Sequence, residues 1–511
     1  MIISNSLLKY MNYSLRIFSI SLFLFYFFNS FQSNIYEVLF IDERMLIDDV
    51  YNVWLAEDLY NRFSSINNIN LKKILSVIIE LTYGGDLRYG RLWSNIFVIL
   101  IGPITLINDT AVIISSRLLN SLLFFFGAYF LSKYLVDKKY VWFSVVTIYS
   151  LPAVEYFLRV PKPDTLVILL VAFGLNFFLK ERYYLSIFFL AVASFVKVTS
   201  FFIFLIIWFF IFLKSNHNKL HFVGKSAFIS IASMIIVNPI LIVPPLNFQN
   251  VQLPNFYSIY INWLTTQGSN GDTITFSTKF VNNWILELSN FYRIENKSLF
   301  IFLTIYFLGL IMIQIFQTKE ILSKNIVLIF SIYILFYFFL IERAWTQYLH
   351  LPFALLIVAY FRSLNKENMS LLSLISVLIF IFIGNYSNVD RFLNDTTFNM
   401  NTRLEYISVN TQEDAEILVN NVIEEIRRIY DEHEHLDKNL VYWHPDLITA
   451  RNNVTYVDTF YVREYWGDKN RPDYAIDQAD IFVTYINYET TYPIHKVQLE
   501  NFFIYYYEIN N

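Results

Sequence analysis

Apolar runs of roughly 15–20 residues recur along this chain, and a hydrocarbon core about 30 Å thick takes about that many helical residues to cross. They lie near 15–31, 92–108, 109–131, 140–158, 164–179, 183–196, 198–213, 226–245, 298–317, 325–341, 346–361 and 371–385. A segment in hydrocarbon must satisfy its backbone polar groups internally, which leaves helices or closed barrels. Runs of this length select helices, so the expected fold class is a polytopic α-helical membrane protein. A hydrophobic share of 56% against 16% charged agrees with a chain whose solvent is lipid. Its partner is then the bilayer, and a net charge of −4 over 511 residues gives no electrostatic support for a nucleic-acid partner. Cysteine is absent, which excludes disulfides, thiol catalysis and Cys-ligated metals.

Basic residues test how the runs are threaded, because short cytoplasmic loops are enriched in Lys and Arg. If all twelve runs span, the clusters fall on both sides. The run "NIFVILIGPITLIN" (95–108) holds Gly102-Pro103 at its middle, where Pro removes a helix hydrogen bond. A re-entrant segment there, or one tilted crossing over 92–131, repairs the pattern. The segments 132–139, 180–182, 214–225, 317–324 and 362–368 then all face the cytoplasm. The loops 32–91 and 246–297, the "VPKPDT" turn, "ERAWTQ" and the tail 386–511 face outside. The expected architecture is a membrane module over 1–385, with about eleven spanning helices and one broken or re-entrant segment, and an extracytoplasmic domain over 386–511.

The outer loop 32–91 opens on "FIDERMLIDDVYNVWLAEDLY", which gathers Asp42, Glu43, Asp48 and Asp49 in a segment that keeps amphipathic spacing. It returns to the membrane through "GGDLRYGRLW", with Arg88, Tyr89 and Arg91. Carboxylates and guanidinium groups at one lipid interface suit group transfer from a membrane-anchored phosphate. A carboxylate takes the proton of an attacking hydroxyl, and a guanidinium neutralises the leaving phosphate.

These residues bring the chain to a family. It resembles the GT-C glycosyltransferases that use polyprenyl-phosphate sugars, such as the protein mannosyltransferases and the aminoarabinose transferases. The resemblance rests on Asp42-Glu43 after the first helix, "DDVYNVWLAEDL" (48–59), "SSRLLNSLLFFFGAYFL" (115–131), "RVPKPDTLVILL" (159–170), "SFVKVTSFFIF" (194–204) and "AWTQYLHLPFALLI" (344–357). It implies inverting transfer of a sugar from a polyprenyl-phosphate donor to a glycan, lipid or protein acceptor at the outer face of the plasma (inner) membrane. Asp42 is then the favoured base, with Asp49 second. Where the family carries Arg before its late Tyr, this chain has Gln347 before Tyr348, which passes the phosphate role to Arg343 or His350. The resemblance leaves a divalent metal optional, without support from the residues, and makes the polyprenyl-phosphate-linked sugar the donor substrate.

Lys197, inside an apolar run, reads either as functional or as snorkelling to the interface. Lys162 is a further phosphate candidate. Asp164 follows Pro163 and reads either as substrate-binding or as a helix cap. Arg117 reads equally as a structural or a substrate contact. His433 and His435 lack convergent ligands and carry no metal reading. In the tail, an amphipathic helix at 410–433 precedes strand-like "NLVYWHP", "VTYVDTF", "DIFVTYIN" and "FFIYYYEIN", which predicts a small α/β domain. The rival function is transport, which intramembrane Lys197 and Arg117 would suit. The long acidic loop, the large tail and the absence of two comparable halves favour the enzyme.

Overall fold

The computed structural model describes residues 5–30, 46, 50, 81, 91–107, 109–214, 219–238, 247–248, 251–252, 278–294, 296–340, 346–364, 369–394, 428, 440–442, 481–484, 494–499 and 502–508. The chain divides into two compact units. One comprises Met1–Ser30, Leu46–Asn262 and Asp272–Phe392, and the other Phe31–Met45, Trp263–Gly271 and Leu393–Asn511.

The first unit is a helical membrane protein. Its helices are α1 (Asn5–Ser30), α2 (Arg91–Ile101), α3 (Asp109–Leu135), α4 (Val141–Tyr149), α5 (Val154–Arg159), α6 (Pro163–Leu179), α7 (Tyr183–Val196), α8 (Phe201–Lys214) and α9 (Lys219–Val237). After a two-residue antiparallel hairpin, β1 (Asn247–Phe248) with β2 (Val251–Gln252), come α10 (Thr278–Phe291), α11 (Lys297–Gln317), α12 (Ile321–Leu340), α13 (His350–Ser363) and α14 (Leu371–Asn394). Among the described residues, six helices are long and apolar enough to cross a bilayer alone: α1, α3, α9, α11, α12 and α14. Four shorter apolar helices accompany them.

Prolines explain several breaks, since Pro removes a donor and drives the preceding residue out of the helical region. Helix α2 stops at Ile101, and Gly102-Pro103 opens a 3-10 turn over Gly102–Leu106. Its eleven residues rise only about 16 Å, roughly half the hydrocarbon thickness. The run 140–158, read from sequence as one span, is two helices. Helix α4 ends at Tyr149, Pro152 follows, and Ala153 sits at φ 69° before α5 begins. In "VPKP", Val160 and Lys162 each precede a proline and both are extended, which ends α5 and starts α6 with Pro163 in its first turn.

Helix α3 lies parallel to α6: the Cβ position of Gly127 meets Ile168, and Phe130 and Tyr134 meet the Phe173 ring. Gly174 of α6 faces Leu190 of α7, where an added Cβ would come within 2.6 Å of Leu190 Cγ. Such small residues let membrane helices approach closely. The C-terminal ends of α3 and α6 share one end of the bundle, and other turns gather there. Arg362 donates to the Leu135 carbonyl at 2.8 Å and pairs with Glu320 at 3.0 Å. Asn12 of α1 donates to the Lys138 carbonyl and accepts from the Trp142 N–H at 2.9 Å. Lys214, ending α8, pairs with Glu181 at 3.1 Å.

Helix α10 falls inside the segment read as an external loop. Phe280, Trp284, Leu288 and Phe291 are its buried stripe, at the spacing of an amphipathic helix. The Trp284 indole N–H donates to the Tyr337 carbonyl of α12 at 2.8 Å.

In the second unit, four strands form a sheet in the order β3 (Leu440–Tyr442), β4 (Ile481–Thr484), β6 (Phe502–Glu508), β5 (Ile494–Leu499). The β3–β4 pair is parallel and the others antiparallel, with Tyr505 opposite both Thr484 and Lys496. The helix expected over 410–433, except for Arg428, and the strand-like "VTYVDTF" lie outside the described residues.

Candidate functional site

The polar centre of the helical unit is built on the "VPKPDT" turn. Its two prolines supply no N–H, so the segment between α5 and α6 cannot satisfy itself by local backbone pairing. Asn120, fully buried midway along α3, takes over. Its amide donates to the carbonyls of Phe157 and, at 3.2 Å, of Val160. Its carbonyl oxygen accepts from the Lys162 N–H at 3.1 Å and from the Thr165 hydroxyl at 2.8 Å. Both donors and both lone pairs of the amide are thus used. Next to it, the Ser121 hydroxyl donates to the Leu158 carbonyl at 3.2 Å. The segment that carries Lys162 and Asp164 is therefore fixed to α3 at five points.

Asp164 lies in the first turn of α6, and the extended Lys162 is the helix N-cap residue. The Asp164 carboxylate reaches Lys197, whose ammonium stands 2.5 Å away with a side chain only 8% exposed. Lys197 opens the turn between α7 and α8, which fold back on each other so that Lys214 at the end of α8 returns to Glu181 before α7. Its backbone is extended (φ −150°, ψ 122°) at the end of α7, and a 3-10 turn over Val198–Ser200 leads into α8. No Pro or Gly causes this break. The Lys197 N–H donates to Ala193, and its carbonyl accepts from the Ser200 N–H and, at 2.9 Å, from the Ser200 hydroxyl, so the turn leaves its own backbone groups paired.

An aromatic wall backs the ion pair. The Lys197 ammonium lies 5.6 Å from the centroid of Tyr348, within the range of cation–π attraction. Tyr348 stacks on Tyr337 at 5.4 Å and 12°, and Tyr337 on Tyr333 at 6.0 Å and 16°. The far end meets the edge of Phe202. Asp164 is within electrostatic reach of Tyr333 and Tyr337, and the Tyr333 hydroxyl is buried with no hydrogen-bond partner among the described residues. Lys162 faces the Tyr156 ring at 5.0 Å.

The structure thus brings Asp164, Lys197 and Tyr348 together, with Lys162 on the same splinted turn. The N-cap position of α6 falls to Lys162 rather than Asp164, and Asp164 and Lys197 hold each other. His350 is enclosed by the rings of Phe124 and Phe157, at 5.4 and 5.1 Å. Arg91 opens α2 and is 1% exposed, and Arg117 of α3 is 3% exposed. Asp42, Glu43, Asp48, Asp49, Arg88, Tyr89 and Arg343 lie outside the described residues. Among the described residues no group of three or more His, Cys, Asp or Glu could hold a metal ion.

No family model, curated protein or solved structure matches the chain. Sequence reading missed Asn120, Tyr333 and Tyr337. The signal for Asn120 was an amide amid apolar residues of a long helix, where lipid offers no partner and another segment must. The i, i+4 tyrosines carried none, because aromatic residues make up 19% of the chain.

Chemically, the arrangement offers an ammonium and a carboxylate in a low-dielectric surround. Coulomb interactions there are several-fold stronger than in water, so the two charges hold each other in place.

Proposed function

We propose that this chain is an integral-membrane glycosyltransferase that moves a sugar from a polyprenyl-phosphate donor to a glycolipid, polysaccharide or protein acceptor at the extracytoplasmic face of the plasma membrane. In this reading the scaffold is GT-C-like, with about eleven crossings and a broken segment at 92–108, and the C-terminal unit is an extracytoplasmic α/β domain. The observation that carries the proposal is the buried Asp164–Lys197 pair, where the start of α6 meets the turn between α7 and α8, because charged groups at membrane depth commonly mark a path for a polar ligand.

The proposed chemistry balances as follows. An acceptor hydroxyl oxygen bonds to the anomeric carbon while the bond from that carbon to the phosphate oxygen breaks. The hydroxyl proton passes to the Asp42 carboxylate, with Asp49 as the next candidate, and Glu43 and Asp48 complete the acidic surround. The phosphate leaves as polyprenyl phosphate, its charge neutralised by Lys197, with Lys162, Arg88, Arg91 and Arg343 as further cations. Asp164 positions the ammonium, and Tyr348 bounds it from behind.

The test is transfer from radiolabelled polyprenyl-phosphate sugars by the purified full chain in liposomes. Activity that Lys197→Met and Asp42→Asn each abolish, in variants that stay folded, supports the reading. Turnover that survives in Lys197→Met, Asp42→Asn and Asp49→Asn would sink it.

Transport is the second reading, and the buried cations Lys197 and Arg117 would suit it. Solute flux into liposomes that Lys197→Met blocks, with no sugar transfer, would replace the first reading by this one.

A further inference from the structure

A second feature of the helical unit lies away from the ion pair. Helix α11 is buried at only two residues, Phe300 near one end and Ile315 near the other. Between them, over roughly 22 Å of helix, its residues are half-buried or exposed. The space behind it is an apolar cleft, walled by Leu303 and Phe307 of α11, Phe353 and Leu356 of α13, and Val377 and Phe380 of α14. The Phe307 and Phe380 rings approach to 6.2 Å and form its floor. A gap beside a helix in hydrocarbon has no water to fill it, and its lining atoms forfeit contacts unless something apolar enters.

One end of the cleft is charged. Tyr292 and Ile294 line it there, and Arg293 between them pairs with Asp390 of α14. Arg391 covers the Phe291 ring at 4.7 Å. Glu287 interacts with Arg391, and Glu155 with Tyr292. The Arg293–Asp390 pair and the Arg391 guanidinium over Phe291 thus stand where the apolar walls end, with Glu287 and Glu155 in electrostatic range. Guanidinium groups suit a phosphate, and the carboxylates suit an ammonium. A head group bearing both signs complements this end better than a simple anion does.

We propose that the cleft seats one zwitterionic glycerophospholipid of the phosphatidylethanolamine class, with an acyl chain along α11 and its head group among Arg293, Arg391 and Asp390. It shares no lining residue with the Asp164–Lys197 site, so a donor lipid held by its phosphate at Lys197 is a different molecule. The inference is independent of the reaction the chain performs. The lipid acts as a structural ligand that packs α11 onto the bundle.

The test uses the purified full chain washed in a delipidating detergent. Native mass spectrometry should find one retained glycerophospholipid per chain, enriched in phosphatidylethanolamine over phosphatidylglycerol. Stripping it should lower the unfolding temperature, and adding phosphatidylethanolamine should restore it, because a ligand that binds only the native state stabilises it. Leu303→Trp and Val377→Trp fill the cleft from opposite walls, and each should weaken retention about tenfold or more. If neither variant folds, a phosphatidylethanolamine with a photoreactive acyl chain should label Phe307 or Phe380 in the native chain. No retained lipid, retention unaffected by both fillings in folded protein, labelling confined to other residues, preference for phosphatidylglycerol, or displacement by farnesyl phosphate would each overturn the proposal.

Discussion

Asn120 and Asp164 do different work within a few ångströms of backbone. The Asn120 amide replaces hydrogen bonds that two prolines deny to their own segment. Its loss is a loss of shape: Asn120→Leu leaves the Lys162 N–H and two carbonyls without it, at roughly 1–3 kcal/mol for each group left unsatisfied. The expected outcome is a lower unfolding temperature, together with faster maleimide labelling of a cysteine placed at Lys162, a clean readout because the chain has no cysteine of its own. Asp164 instead compensates a charge. Asp164→Asn strands the Lys197 ammonium and should destabilise by about 3–5 kcal/mol, whereas replacing both partners with leucine should recover most of that. Neither form should retain function. Unfolding of the single and double variants in detergent checks the stability cycle, and a double variant less stable than Asp164→Asn would show that the pair contributes more than charge compensation.

At the scale of elements, breaks at proline were legible and breaks made by tertiary contact were not. Gly102-Pro103 announced the end of α2, and its 3-10 turn follows where the sequence placed it. Pro152 gave a comparable signal within the run 140–158, but unbroken hydrophobicity on both sides masked it. What holds that break is distant in sequence: Asn388 of α14 donates to the carbonyls of Tyr149 and Leu151 at 2.9 and 3.0 Å. Beside it, Gly384 lies so close to Ser150 that an added Cβ would be driven into the Ser150 backbone carbonyl. Gly384→Ala should therefore cost about 1–3 kcal/mol through overpacking, visible as a lower unfolding temperature, while Gly309→Ala, whose Cβ would meet open space, should be neutral or better. The turn at Lys197 has no breaker residue at all. Sequence raised Lys197 as a candidate because of its charge in an apolar run, but its partner was invisible because Asp164 lies 33 positions away. The amphipathic α10 was overlooked for a simpler reason: half its surface is polar, and hydropathy averaged along the segment hides a stripe.

Across the whole molecule, the turns at 135, 181, 320 and 362 gather at one end of the bundle, as basic-residue placement led one to expect for segments sharing a side. The side itself is a matter for labelling. Cysteines at Lys138, Lys219 and Lys319 should react from the cytoplasm and one at Lys297 from outside; reaction of Lys297 and Lys319 from the same side would mean that α11 does not cross. The site is also recessed. Asn120 stands 15 residues before Leu135 on α3, about 22 Å along the axis, and 11 residues after the start of that helix, about 16 Å from its other end. The ion pair beside the Asn120-splinted turn therefore lies within the electric field of an energised membrane. One charge crossing the full field exchanges about 2.3 kcal/mol per 100 mV, so an anionic head group entering from the positive side to mid-depth works against roughly half of that. Under the proposed function, occupancy of the Lys197 site by the donor's phosphate is expected to weaken as the interior of a liposome is made more negative, and donor binding measured at stepped potentials checks it.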